Sequence, residues 1–186
     1  MALRTIGVAV AIPEPYGSEL QAWRERLGDP LATAIPTHVT LMPPTEVVSE
    51  QLPEIEAHLR AIAADERPFE MHLRGTGTFR PVSPVVFVQL AGGISDCERL
   101  EARIRSGPLD RELRFNYHPH VTVAHDLPDD VLDQAFAKLA AYEAEFRVLG
   151  FSLYEHGADA VWRPQQDFPF GRVSPGPAPG RPRPAA

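Results

Sequence analysis

Two four-residue strings carry most of the chemistry available to this chain of 186 residues: His38-Val39-Thr40-Leu41 and His120-Val121-Thr122-Val123. In an extended strand, residues i and i+2 project to the same face. Each string therefore presents an imidazole beside a hydroxyl, while its two apolar residues point the other way, toward a core. Histidine exchanges a proton near neutrality, and a threonine hydroxyl donates a hydrogen bond to a phosphate oxygen. One copy makes a weak site. Two facing copies supply a general base, a general acid and two oxyanion donors. A shuffled chain of this composition would hold a His-apolar-Thr-apolar string only about 0.06 times, so two of them ask for a common cause. A single histidine on a strand is more often a surface or satisfied core residue than a catalyst. It is the pair, in equivalent surroundings, that points to function.

The elements around the strings follow from hydrophobic periodicity. TIGVAVAIP, ended by Pro13, reads as a strand rich in valine and isoleucine. SELQAWRERLG puts Leu20, Trp23 and Leu27 at helical spacing, with Gly28 just past the end. AIPTHVTLMPP predicts a second strand fenced by Pro36, Pro43 and Pro44. The next helix, SEQLPEIEAHLRAIAADE, places Leu52, Ile55, Leu59 and Ile62 on one face, with Ser49 as its N-cap. FEMHLRGTGTF and PVVFVQL predict two strands joined by the turn RPVSP.

The second half retells this order. GGISDCERLEARIRSG predicts a helix with Ile94, Leu100 and Ile104 inward, and FNYHPHVTVAHDL a strand. LPDDVLDQAFAKLAAYEAEF predicts a helix with Val131, Leu132, Phe136 and Leu139 periodic; FRVLGFSLYEH and DAVWRPQQDF predict two closing strands. Each His-Val-Thr strand is thus followed by a helix and a strand pair, which suggests an internal duplication of a small α+β unit. From Gly171 onward, GRVSPGPAPGRPRPAA is almost all Pro, Gly, Ala and Arg, and predicts a disordered tail, 171–186, beyond a folded unit of residues 1–170.

Bulk properties narrow the function. The formal net charge is -7, which offers no general attraction for nucleic acid or anionic membrane, so a phosphate-bearing partner must be held locally. The lone Cys97 cannot form an internal disulfide and reads as a small buried residue on a helix. The apolar run IGVAVAI is too short to span a bilayer, and the expected location is cytoplasmic.

The two strings, in the wider words THVTLMPP and HPHVTVAHD some 80 residues apart, resemble the signature of the 2H phosphoesterase superfamily. That group contains the bacterial 2'-5' RNA ligases and the 2',3'-cyclic nucleotide phosphodiesterases. The resemblance covers residues 1 to about 170. It implies an α+β fold of two pseudo-symmetric lobes, each an antiparallel sheet with helices outside, forming a central cleft into which one motif of each lobe projects. It implies His38 and His120 as the acid/base pair and Thr40 and Thr122 as the phosphate holders, with no metal and no cofactor. By analogy with cyclic phosphodiesterases, His120 is the base and His38 the acid for opening a 2',3'-cyclic phosphate to a 2'-phosphate; the pair run backwards gives ligation. The implied partner is a small nucleotide or an RNA terminus; the chain is expected to be a monomer, although its sequence leaves the oligomeric state open.

Where many members of that family carry a basic residue after the second motif, this chain has His125, a candidate third phosphate contact. Phe79 with Arg80, Tyr117, Tyr154, and Trp162 with Arg163 offer stacking or phosphate contacts. Two rival readings stay open. His118, His120 and His125 are spaced as a zinc-binding set could be, although the first motif would then go unexplained. The same cleft could also serve a non-catalytic nucleotide or RNA-end binding module.

Overall fold

The computed structural model describes residues 2–171. Of the tail expected over 171–186, only Gly171 falls within them, and its amide donates to the Ala63 carbonyl at 3.0 Å. The remainder lies outside the described residues. Along the chain run β1 (Leu3–Ala11), α1 (Tyr16–Leu27), β2 (His38–Val48), α2 (Leu52–Asp65), β3 (Phe69–Thr78), β4 (Val85–Gly92) and α3 (Ile94–Ile104). Then come β5 (His120–His125), α4 (Asp129–Lys138), β6 (Glu143–Val148), β7 (Gly150–His156) and β8 (Trp162–Pro169). This is an α+β fold with one antiparallel sheet in the order β6-β3-β4-β5-β2-β1-β7-β8.

The sheet divides into two four-stranded halves, β2-β1-β7-β8 and β5-β4-β3-β6, related by a pseudo-two-fold between β2 and β5. The repeated unit is strand–helix–strand, β1-α1-β2 and β4-α3-β5, with the outer strands supplied from elsewhere in the chain. A strand–helix–strand-pair duplication, as read from the sequence, would have kept each lobe contiguous; instead β3 leaves the first motif to join the second lobe. At the midline β2 and β5 share the single ladder pair Val39↔Val121. So short a ladder is weak, and the helices bridge it: α1 packs on β5 and α3 on β2, each over the other lobe's motif strand.

Several elements differ from expectation for identifiable reasons. β2 does not stop at Pro43 and Pro44 but continues to Val48. Ile6 pairs with Thr45 and Val8 with Met42, so the two prolines sit in a bulge opposite Gly7, where the missing N–H breaks no ladder bond. Ser49 does not cap α2; it lies in a single 3-10 turn, Ser49–Gln51, and its hydroxyl donates to the Ala2 carbonyl at 2.9 Å. In α3 and α4 the expected inward residues Ile94 and Phe136 are exposed, their places taken by Cys97 and Ala135. The α4 helix ends at Lys138, since Ala144 and Val148 are buried between exposed Glu143, Glu145 and Arg147, an alternation that belongs to a strand. The expected strand FRVLGFSLYEH is divided between β6 and β7 by exposed Leu149. Finally, β5 begins only at His120, leaving 110–119 without regular structure.

Candidate active site

The pseudo-two-fold places the first residues of β2 and β5 side by side. Extending the Val39↔Val121 register by one residue sets His38 opposite Thr122 and Thr40 opposite His120. Directly opposed residues of an antiparallel pair lie about 5 Å apart at Cβ, so the four polar groups form a small diagonal array on one face. On the opposite face Val39, Leu41, Val121 and Val123 are buried. The likeness extends to irregularities: opposite β1 the ladder skips Leu41, and opposite β4 it skips Val123. Each motif therefore ends in a bulge that buries two successive residues, Leu41 with Met42 and Val123 with Ala124.

Both imidazoles are anchored alike. The Nδ1–H of His38 donates to the Pro36 carbonyl at 2.7 Å, and that of His120 to the His118 carbonyl at 2.7 Å. A carbonyl only accepts, so Nδ1 carries the hydrogen and Nε2 is the nitrogen left for reaction. In His38 that nitrogen accepts from the Thr40 hydroxyl at 3.1 Å. Burial lowers the His38 pKa to about 4, partly offset by the Pro36 carbonyl and reinforced by the positive field of Arg24 and, when it is protonated, that of His120. Burial also lowers His120, opposed by the His118 carbonyl and aided by the His118 ring. Both are neutral at pH 7.

A depressed histidine pKa ties stability to pH. The unfolded chain protonates His38 near 6.5 and the folded chain only near 4, so its contribution is complete above 6.5 and is lost as pH falls through that window. Between pH 7 and pH 5, His38 is expected to remove about 2 kcal/mol of stability. Urea titrations at both pH values check this: His38→Gln should show a correspondingly smaller difference between them.

Two cavities flank the motif face and share Thr40. The first, about 310 Å³, adjoins His38 and is walled by Ile35, Met42, Tyr154, His156 and Trp162. The second, about 550 Å³, adjoins His120 and is walled by Phe79, Arg111, Arg114, Phe115, Tyr117 and His118. Tyr154 is thus placed in the His38 cavity, nearly buried. Phe79 stands edge-on to the His120 ring with centroids 4.9 Å apart, and Phe87 lies 5.1 Å from the same ring. Thr122 is half-buried on the motif face. His125 is turned back toward that face by the bulge, but its Nε2 lies 3.4 Å from Asp126 and it lines neither cavity. Arg80 also lines neither: its guanidinium pairs with Asp133 at 2.8 Å and Asp129 at 3.5 Å on α4. The zinc reading finds no geometric support, because among the described residues no three His, Cys, Asp or Glu side chains converge as a metal-binding group.

The sequence profile of the 2'-5' RNA ligase superfamily matches residues 12–160. The chain belongs to that superfamily. A "Putative phosphoesterase" of Oceanobacillus iheyensis is 28% identical over 168 residues, which span 89% of this chain and 98% of the relative. Among solved structures, E. coli LigT in apo form superposes with a TM-score of 0.67 at 19% identity, over 92% of this chain and 100% of LigT. LigT complexed with 3'-AMP gives 0.60 at 19%, with the same coverage. These likenesses show that the fold is the LigT-like one.

Within this superfamily member, some neighbours of the motifs were not legible beforehand. No basic residue adjoins either motif in sequence, yet the 110–119 segment brings Arg111 and Arg114 to the His120 cavity. Tyr117, a candidate contact from the sequence, lines that cavity and donates its hydroxyl to the Thr40 carbonyl at 2.9 Å, a tie across the midline. Phe87 carries no signal beyond that of a strand residue, and His156 stands against the Trp162 ring at 5.0 Å. Gly7 leaves room for that indole: a Cβ there would lie 3.2 Å from the Trp162 ring.

Proposed function

We propose that the chain is a phosphoesterase that opens 2',3'-cyclic phosphates of nucleotides or RNA ends by two-histidine acid/base catalysis, without a metal. The observation that carries this reading is the matched anchoring of His38 and His120 across the sheet midline, each with Nδ1 committed to a carbonyl two residues upstream. One Nε2 takes a proton from water as its oxygen attacks phosphorus; the other gives a proton to the ribose 3' oxygen as the P–O3' bond breaks. The product is a 2'-phosphate with a free 3'-hydroxyl. Thr40 and Thr122, each opposite one imidazole and beside the other, hold the non-bridging oxygens. Run backwards with a ribose hydroxyl in place of water, the same groups support 2'-5' ligation. The 3'-AMP complex of LigT fits a nucleotide ligand for this fold.

The division of labour favoured by the surroundings reverses the one reached by analogy. His38 is the more strongly held neutral, by burial and by Arg24, which suits it to accept a proton. His120, set among Phe79 and Phe87, is the readier donor once an anionic substrate stabilises its imidazolium. All four groups come from this one chain, which supports a monomer acting alone. Among the described residues no helix is long and apolar enough to cross a membrane, and a cytoplasmic setting belongs to the proposal.

The test is a panel of 2',3'-cyclic nucleotides, 2'-5' oligoadenylates and RNA termini assayed with and without chelator. Cyclic phosphates are expected to turn over equally in both. Loss with chelator and recovery with zinc would replace this mechanism with a metal-dependent one, and tight binding without turnover would leave only a binding module. The pH profile of kcat/KM is expected to be bell-shaped and displaced to the acid side. One limb lies near about 4, from His38, and the other below the ordinary 6.5, from His120.

A further inference from the structure

The two histidines share a backbone anchor, but what holds each anchor differs. On the His38 side the segment between α1 and β2 is fastened by a buried ion pair. Arg24, 3% exposed, donates from Nε to Asp29 Oδ2 at 2.9 Å and from Nη1 to the Ile35 carbonyl at 2.6 Å. Asp29 in turn accepts from the Leu31 amide at 2.9 Å, and its own amide donates to the Arg24 carbonyl at 3.0 Å. Ile35 is the residue before Pro36, whose carbonyl holds His38 Nδ1. The counterpart on the other lobe, Glu101 with Arg105, reaches only the Arg111 carbonyl, well upstream of His118. There the ring of His120 is set by Phe79 and Phe87 instead.

We propose that Arg24 is a positioning residue for His38: its bonds to Asp29 and Ile35 fix the Pro36 carbonyl and hence the direction of His38 Nε2. This rests on the two-histidine reading. Arg24 also places a positive charge near the imidazole, which disfavours the imidazolium, and the paired Asp29 offsets part of that field. The other groups facing His38 are His120 across the midline, the Thr40 hydroxyl, and His156 and Tyr154 from β7 in the shared cavity. None of them contacts the Pro36 carbonyl.

The experiment uses the full-length protein and three variants, two of them with opposite electrostatic sign. In Arg24→Gln the loss of the positive charge is expected to raise the His38 pKa only modestly, because burial, the larger cause, remains; loosening of the Pro36 carbonyl is read separately, as faster solvent exchange of the His38 Nδ1–H in NMR. In Asp29→Asn, which leaves the Arg24 charge uncompensated, the pKa is expected to fall further. Arg24→Gln should lower kcat on a cyclic nucleotide by about 10- to 100-fold with KM little changed, while Arg24→Lys restores part of the loss. If Arg24→Gln does not fold, Asp29→Asn still gives the pKa reading, and Arg24→Lys, which keeps the charge but not the fork to Asp29 and Ile35, gives the exchange reading. Unchanged exchange of the His38 Nδ1–H in every folded variant overturns the proposal, whatever the pKa does, and leaves the ion pair as a structural support. Failure of the phosphoesterase reading is separate: there wild type turns nothing over, while the pKa shifts persist.

Discussion

Replacing either His38 or His120 by alanine is expected to lower kcat for 2',3'-cyclic nucleotide hydrolysis by about 10²- to 10⁴-fold, the range associated with one positioned acid or base. The double variant should cost little more than the worse single one, because a proton relay missing one member gains little from the other. The structural case for equal severity is the symmetry of the two anchors, each a 2.7 Å contact to a carbonyl two residues upstream. Thr40→Val and Thr122→Val should be milder, since each removes one oxyanion donor and leaves both proton-transfer groups. Single-turnover assays on folded, purified variants decide it. Undiminished activity in both histidine variants would sink the catalytic reading, whereas activity lost in only one would show that the other motif is a phosphate clamp.

The second large effect concerns stability. Leu20 of α1 and Leu100 of α3 are fully buried, and their helices lie over β5 and β2, the motif strands of the opposite lobes. Truncating either to alanine is expected to cost about 2–5 kcal/mol in urea denaturation, from lost apolar burial and the cavity left behind. In strand pairing the midline has a single ladder pair, Val39↔Val121, to resist loosening. Each variant should therefore also lose activity per folded molecule, although neither leucine lines either cavity beside the motifs. A drop in stability with kcat unchanged would show that the midline is held by the strands and Tyr117 rather than by the crossing helices.

These two expectations draw on different amounts of sequence information. The histidine prediction rests on residue types and period-2 spacing, which are local properties of a strand and survive without any knowledge of packing. Most elements were legible for the same reason: Leu20, Trp23 and Leu27, and Ile55, Leu59 and Ile62, follow helical spacing because one face of each helix meets the sheet. Misreadings clustered where a local rule met a tertiary exception. Prolines 43 and 44 look like a strand's end until a bulge opposite Gly7 removes the need for their amides. Arg80 looks like a phosphate ligand until Asp129 and Asp133 on α4 claim its guanidinium.

By itself the sequence determined that the chain holds two half-buried imidazole–hydroxyl strands within a repeating α+β order, because side-chain alternation and hydrophobic period are written locally. Only the tertiary structure decided that the two strands are neighbours and that the repeat is strand–helix–strand. It also decided that Arg24 secures one histidine while Phe79 and Phe87 surround the other. Those are contacts between residues far apart in the chain, and they are chosen by which faces must be buried together, a choice no single segment can express.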